Sequence, residues 1–537
     1  MLTRLESKTL APHASAGVLN PKSAILLLCL LAFALRLGPA FDNRFHPDEA
    51  LFSSWALKIA SGENVLLSGV PVDKPPLLIY ATAISFFFFG QTETAARLPN
   101  LAASVISVAL IYWLAVGQLG NWSTTRPIAN YQLTNRPVNY LTILPSLLLT
   151  FSPFAILFAP TAFLDPTMVM FGLASLVAAL RGRAGWAGIL LGLSFATKVQ
   201  GLFFAPLTLV YWSTSQLVNQ GSGIRDQRSE IRDQSRRLSV SLSLVRFLAA
   251  FLTIALIVLA WDRLRGGLPF WEQQSINYGG IRVIYPSEAG PRLTGWLALL
   301  PYFFGPLVGL IGLIGLPILV WFDLTRAART RAAWIDLILI AWLFALFGLH
   351  WLLAFPVWDR YFLMLVPIAT LLVGRVIGHL VNWLTDHLVT PSVRHLVSLS
   401  LLLLIILALP FSLVAAGSGY PIGGDHGGYD GIDQVAGYLR TLPSGAVVYD
   451  HWLAWELDYY LGEGHVYVAY FDTPAALADD LRAFGHNGDR YVVFPANESP
   501  DKAIEAIAQA GFMMSPIYTT QNRFNQTAFT LFRIQAR

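Results

Sequence analysis

Long apolar runs separated by short polar loops fill most of the chain. They lie near 23–40, 99–118, 141–160, 167–181, 247–262, 295–321, 334–354, 361–378 and 395–416. A helix needs about 20 apolar residues to cross a bilayer, so the pattern predicts a polytopic α-helical membrane protein. Two stretches need a choice. Pro76–Phe89 is short, opens with Pro75-Pro76 and is followed by Gln91-Thr92-Glu93, so it reads as an interfacial helix in a large external loop, 41–98. The stretch 184–214 is interrupted by Lys198-Val199-Gln200-Gly201. As one span it would leave the arginine-rich segment 215–246 outside; as a hairpin of two short spans it puts that segment inside, as cytoplasmic Lys/Arg enrichment requires. The result is about eleven transmembrane helices, a count that rests on spanning length and charge bias. The tail 1–22 and the loops with Arg126 and Arg136, Arg181 and Arg183, Arg225 to Arg246, Arg326 to Arg331, and Arg375 to Arg394 fall on the cytoplasmic side. Asp48, Asp165, Lys198, Arg282 and Arg360 fall outside.

After about residue 417 the period changes. Helical pattern at Asp433–Leu442, Ala475–Phe484 and Lys502–Ala510 alternates with strand pattern at Ala446–Tyr449, Val466–Tyr470, Arg490–Phe494 and Phe529–Ile534. That alternation predicts a small extracytoplasmic α/β domain, 417–537, attached to a transmembrane domain, 23–416.

Composition agrees with the pattern. Of 537 residues 55% are hydrophobic and 13% charged, against about 25% charge in a soluble domain. The net charge of +4 comes from arginines dispersed over loops without interleaved aromatics, which argues against a nucleic-acid surface. Cys29 is the single cysteine, which excludes an intramolecular disulfide and any Cys/His zinc spacing. The repeated Ile224-Arg225-Asp226-Gln227 and Ile231-Arg232-Asp233-Gln234 reads as a low-complexity cytoplasmic insert.

Candidate chemistry gathers at one membrane boundary. His46-Pro47-Asp48-Glu49 follows the first span, and Asp73-Lys74-Pro75-Pro76 comes about 25 residues later. Ionisable groups there are costly to desolvate and mark functional sites by default. The chain has no phosphate-binding Gly-rich loop and no Asp-x-Asp pair for a metal-bound nucleotide sugar. An outward-facing enzyme without those needs a substrate activated in advance and carried by the membrane, and a polyprenyl-phosphate sugar meets that need. Its phosphate departs readily when cations stabilise the charge, while the acceptor hydroxyl needs a base. Asp48 is the candidate base. Glu49 points about 100° away from it on a helix, so the two do not form a glycosidase pair; Glu49 caps a helix N-terminus or pairs with a loop cation.

These residues, with Gly90-Gln91-Thr92-Glu93-Thr94-Ala95-Ala96-Arg97-Leu98-Pro99, resemble the large-loop signature of the C-type, polyprenol-phosphate-dependent membrane glycosyltransferases. The branch is that of the protein O-mannosyltransferases and the lipid A aminoarabinose transferase. Asp165-Pro166 and Asp359-Arg360-Tyr361 also fall where that family has functional residues. The resemblance covers about 40–415 loosely, and 46–100 carries most of its specificity. It implies that Asp48 activates the acceptor, that Asp165 is the second acid, and that Lys74, with Arg97 and Arg360, binds the donor phosphate; Tyr361 and Glu49 join the substrate-binding set. In the aminoarabinose branch the acidic residue before Lys-Pro helps hold a divalent metal, which here is Asp73, with His46 a further metal candidate. Leu51 stands where that branch has a basic residue, a departure that weakens the case for the aminoarabinose substrate itself. The expected function is inverting transfer from a polyprenyl-phosphate donor to a lipid, glycan or protein acceptor at the outer face of the plasma membrane.

Each residue also has a plainer reading. Asp48 and Asp165 can be helix caps, Lys74 can pair with Asp73 or snorkel, and Arg97 and Arg360 can be interfacial anchors. Lys198 reads as structural at its hairpin tip, while Trp271 and Tyr278 are either acceptor contacts or interface residues. Two other functions remain open: a lipid-linked sugar flippase, which would favour internal symmetry and mid-membrane charge, and a non-catalytic sensor that reads a ligand through its C-terminal domain.

Overall fold

The computed structural model describes residues 20–119, 140–221, 229–326, 331–388, 393–462 and 466–537. Nearly all of the expected tail 1–22, the loop with Arg126 and Arg136, and Arg225 lie outside the described residues. The helical part runs α1 (Pro21–Asp42), α2 (Pro47–Ala60), α3 (Leu77–Phe89), α4 (Glu93–Leu119), α5 (Tyr140–Phe151), α6 (Pro153–Phe158), α7 (Asp165–Leu180), α8 (Ala184–Thr197), α9 (Ala205–Gly221), α10 (Ser229–Arg265), α11 (Phe270–Tyr278), α12 (Pro286–Leu297), α13 (Pro301–Phe304), α14 (Pro306–Arg326), α15 (Arg331–Leu352), α16 (Leu365–Leu388) and α17 (Val393–Ala416).

Among the described residues, five helices are long and apolar enough to cross a membrane: Lys22–Asp42, Glu93–Gly117, Ser241–Arg265, Pro306–Thr325 and Ala332–Leu352. Shorter apolar helices accompany them at Leu77–Phe89, Thr142–Phe151, Asp165–Leu180, Ala184–Thr197, Leu365–Val381 and Leu402–Ala416. Close helix contact uses small residues, as it does where apolar packing gains little from excluding water. A Cβ on Gly188 of α8 would lie 2.2 Å from the Phe247 carbonyl oxygen of α10.

Two apolar runs that read as single spans are broken. The run 141–160 divides at Ser152-Pro153, where the Ser152 hydroxyl caps α6 by accepting from the Ala155 N–H at 3.3 Å. The run 295–321 divides into α12, α13 and α14. Pro301 and Pro306 lack the N–H that would carry a helix through, and Gly305 sits at φ 77°, a conformation open mainly to glycine. Its absent side chain leaves room for Phe411, whose ring is 2.8 Å from where a Cβ would be.

The C-terminal part is α18 (Ile432–Leu439), β1 (Val447–Asp450), α19 (Ala454–Leu461), β2 (Tyr467–Tyr470), α20 (Pro474–Phe484), β3 (Arg490–Pro495), α21 (Asp501–Gln509), β4 (Phe512–Gln521) and β5 (Thr527–Ala536). The sheet order is β2-β1-β3-β5-β4; β1 pairs in parallel with β2 and β3, and β5 runs antiparallel between β3 and β4. Sequence pattern missed α19 and β4. The latter carries Pro516 beside a register shift, which an edge strand tolerates and a central one does not.

This sheet and the loop that carries Asp48 share one apolar core: Phe45, Ala50, Phe52 and Trp55 pack with Ile432, Val435, Leu457 and Phe529. The α19 helix lies along α2. Polar contacts clamp the residues just before α2. Arg44 pairs with Glu93 at 2.8 Å, the Phe45 N–H donates to the Tyr460 hydroxyl at 3.0 Å, and that hydroxyl donates to Glu93. Arg523 donates to the Asp42 carbonyl at 3.0 Å and to Asn43 Oδ1 at 3.2 Å while paired with Asp430 at 2.7 Å.

Candidate active site

The sequence His46-Pro47-Asp48-Glu49 is a helix start. His46 caps α2, its Nδ1 accepting from the Asp48 N–H at 3.2 Å, and Pro47 occupies the first turn, where a missing N–H is harmless. Glu49 reaches back to accept from the His46 N–H at 3.1 Å, the reciprocal half of a capping box. Its other oxygen accepts from the Ala162 N–H at 2.7 Å. This directs Glu49 toward Ala162 and leaves Asp48 to pair with Arg360.

Arg97 meets Glu49 in that interior, Nε to Oε1 at 3.1 Å. Its remaining N–H groups donate to the carbonyls of Asn43 at 2.8 Å, Arg44 at 3.0 Å and Ala40 at 3.2 Å. Arg97 is 1% exposed and Glu49 0%. Neither faces open space, so the structure separates these two from the other residues singled out in the sequence.

Those others converge. A cavity is lined by Lys74, Asp165, Lys198, Arg360, Tyr361, Tyr278, Gln200, Gln274, Phe52 and Leu164. Three of its four charged side chains are cations. Each cation holds a carboxylate: Lys74 pairs with Asp73, Lys198 with Asp165 at 2.7 Å, and Arg360 with Asp48. The Lys74 ammonium also donates to the Tyr278 hydroxyl at 3.1 Å, and Lys198 lies over the Tyr361 ring at 4.9 Å. The Arg360 guanidinium is framed by Trp358 at 4.4 Å and Phe163 at 5.1 Å, and its buried Nε has no hydrogen-bond partner among the described residues.

Three of the segments that line the cavity carry its cations, and local sequence explains each. Pro75-Pro76 precedes α3 and leaves Asp73 and Lys74 in irregular chain that bends at Lys74. Lys198 ends α8 at φ −156°, ψ 138° and turns the chain into a 3₁₀ segment, Val199–Phe204. Arg360 lies on a 3₁₀ turn, Asp359–Phe362, fixed to the linker beyond α17 by the Gly423 N–H donating to Asp359 at 2.9 Å.

Electrostatics separates the groups further. Burial works to raise the Asp48 carboxyl, but the adjacent Arg360 and His46 outweigh it and hold the carboxyl below its ordinary range. Burial lowers the Lys74 ammonium, opposed by Asp73 and more weakly by Asp48; Asp48 is thus close enough for its charge to act on Lys74. Lys198, in the loop between α8 and α9, is pushed down to about 8, chiefly by burial and then by Arg360, with Asp165 opposing.

The metal candidates do not share a site. Asp73 Oδ2 is taken by Lys74 and by Asn277, whose amide donates at 3.1 Å, and the His46 Nδ1 lone pair is used in the cap. Among the described residues no group of three or more His, Cys, Asp or Glu side chains is placed to hold a metal ion, so these residues do not fit a metal centre. Lys198 and the cavity-lining Gln200 are what sequence reasoning undervalued; their signal is a charged residue that interrupts an apolar stretch of spanning length.

The fold has counterparts among solved structures. The chain has the fold of ArnT. The crystal structure of ArnT from Cupriavidus metallidurans bound to undecaprenyl phosphate matches at a TM-score of 0.59 and 15% identity, covering 94% of this chain and 97% of that one. ArnT from the same organism in the apo state matches at a TM-score of 0.61 and 14% identity, with the same coverage. The ArnT likeness spans helical part and sheet alike, and agrees with the resemblance read in residues 46–100. No protein-family model and no curated protein sequence matches the chain.

Proposed function

We propose that the protein is an inverting membrane glycosyltransferase that takes a sugar from a polyprenyl-phosphate donor and passes it to an acceptor hydroxyl at the outer face of the membrane. The observation that carries this reading is one cavity lined by Lys74, Lys198 and Arg360, with the Asp48 carboxylate held on Arg360. An ArnT of the same fold is described as bound to undecaprenyl phosphate, which supports a lipid phosphate as the ligand.

A polyprenyl-phosphate sugar is a phosphodiester with one negative charge. Its leaving group, polyprenyl phosphate, gains a second as the glycosidic C–O bond breaks and the electron pair moves to the phosphate oxygen. Lys74, Lys198 and Arg360 stabilise that developing charge. Without donor each is neutralised by a carboxylate. When the donor phosphate draws Arg360 toward itself, Asp48 loses its counter-ion and becomes more basic. Asp48 then takes the acceptor proton as the acceptor oxygen attacks the anomeric carbon opposite the phosphate, which inverts the configuration. Arg97 and Glu49 act through position: they anchor the start of α2 and so the place of Asp48. Asp165 holds Lys198, and Tyr361 and Tyr278 wall the cavity.

In this reading the short apolar helices complete about eleven spans, the N-terminus is cytoplasmic, and the C-terminal domain lies outside. Mass spectrometry of products formed with a panel of polyprenyl-phosphate sugars tests the reaction class. Donor consumption with a new glycosylated product supports it; movement of intact donor across the bilayer without consumption contradicts it and favours a flippase.

A further inference from the structure

Asp48 has two unlike sides. Toward the cavity stand the three cations. Toward the C-terminal domain stand His46, Tyr429, Asp425 and Glu456. The His46 and Tyr429 rings are 6.4 Å apart, and the Tyr429 N–H donates to Asp425 Oδ1 at 3.1 Å. Glu456 lies in the first turn of α19, the helix packed along α2. It is 0% exposed, and among the described residues neither carboxylate oxygen has a hydrogen-bond partner from another residue. One oxygen each of Asp425 and Asp450 is also buried without a partner among the described residues. The charges that act on Glu456 are those of Asp450, Asp48 and Asp425, so its carboxyl lies near those three acids. Arg523, the cation that acts on Asp425, is itself held by Asp430 at 2.7 Å.

Buried polar atoms without partners are rare and mark places that something else completes. A phosphate cannot complete this one, because it would meet Asp48, Asp425 and Asp450. Hydroxyl groups can. We propose that the seam between α2 and α19 is the acceptor subsite, and that it takes the uncharged, hydroxyl-bearing part of a sugar rather than a phosphate. This rests on the transferase reading above. Asp48 then stands between a donor on its cationic side and an acceptor on its acidic side, where a base must be to take the acceptor proton. Burial pushes Glu456 up to about 8, so at neutral pH it is mostly protonated and offers both an O–H donor and a carbonyl acceptor. Asp425 and Asp450 add acceptor oxygens, a set that suits neighbouring hydroxyls.

The test uses the full-length protein in lipid nanodiscs, first saturated with undecaprenyl phosphate so that the cationic cavity is filled. Methyl glycosides of glucose, galactose and mannose, and separately glucose 1-phosphate, are then titrated by saturation-transfer NMR. At least one glycoside binds, Glu456→Leu weakens it about tenfold, the loss of one or two buried hydrogen bonds, Glu456→Gln restores it to within about threefold, and glucose 1-phosphate does not bind. Binding of undecaprenyl phosphate to each variant reports that the fold is intact, and Asp425→Asn supplies the loss if Glu456→Leu fails that control. Absence of glycoside binding, indifference to these substitutions, or equal binding of glucose 1-phosphate overturns the subsite while leaving the donor reading in place. Failure of the wild type to bind undecaprenyl phosphate overturns the transferase reading, and the subsite with it.

Discussion

Arg97→Met separates a structural role for Arg97 from the phosphate-binding role that family resemblance implies. In the structure the guanidinium is spent on Glu49 and on the carbonyls of Ala40, Asn43 and Arg44, and is 1% exposed. Methionine fills much of the volume and donates nothing. Breaking a buried ion pair by removing one partner costs about 3–5 kcal/mol. Three carbonyls lose a donor as well, each worth about 1 kcal/mol. The Glu49 carboxylate keeps the Ala162 and His46 N–H groups, which softens the loss. The expected destabilisation is about 4 kcal/mol or more, and the double variant Arg97→Met/Glu49→Gln recovers about 1–2 kcal/mol of it, because no uncompensated charge is left buried. Denaturant titration in mixed micelles, followed by tryptophan fluorescence, measures both. Undecaprenyl-phosphate affinity, read on the folded fraction, stays within about threefold of wild type, since the residue does not line the cavity. A variant as stable as wild type that has lost donor binding would refute this reasoning and return Arg97 to the phosphate.

Lys198→Met removes one of three cavity cations and leaves Asp165 unpaired; donor affinity falls at least tenfold by titration with undecaprenyl phosphate. In the wild type the same cation is lost as pH rises through about 8, so donor binding weakens between pH 7 and 9, and this limb is missing in Lys198→Met. Glu456 is protonated in the folded protein up to about 8, whereas in the unfolded chain it ionises near 4.3. Its raised carboxyl therefore costs stability that grows from about pH 4.3 to 8, reaching about 3–4 kcal/mol at pH 7. Glu456→Gln is accordingly more stable than wild type at pH 8 and no more stable at pH 4.5, as thermal unfolding at the two values shows. Arg523→Ala cuts the tie between Asp430 and residues 42–43. It costs about 1–2 kcal/mol and raises proteolytic cleavage after residue 417, read by gel.

Much of this architecture follows from one-dimensional pattern. Apolar runs mark the helices, and the switch from spanning runs to short alternating elements marks the C-terminal sheet, because the two periods record two kinds of burial. What pattern conceals is where a run breaks. The interruptions at Ser152-Pro153 and Gly305 leave the mean apolarity unchanged while ending the backbone hydrogen bonding. At the site, Asp48 and Lys74 stand out because charge beside a bilayer is expensive. Lys198 does not, since one lysine at a hairpin tip has no motif, and only the fold brings it to Asp165. The partition of Glu49 and Arg97 into the interior is also invisible in the motif: the spacing is compatible with either face of α2, and the capping geometry decides. Glu456 lies in a short helix that carries no strong period, so its burial is a tertiary fact alone.

The most direct measurement is transfer by Asp48→Asn, followed by mass spectrometry of product formed from a polyprenyl-phosphate sugar, alongside undecaprenyl-phosphate binding to the same sample. The amide keeps the shape and cannot accept the proton, so transfer falls by about 10²–10⁴-fold, while lipid-phosphate affinity is kept or improved as Arg360 is freed of its counter-ion. Near-normal transfer by this variant would contradict the assignment of Asp48 as the base that activates the acceptor.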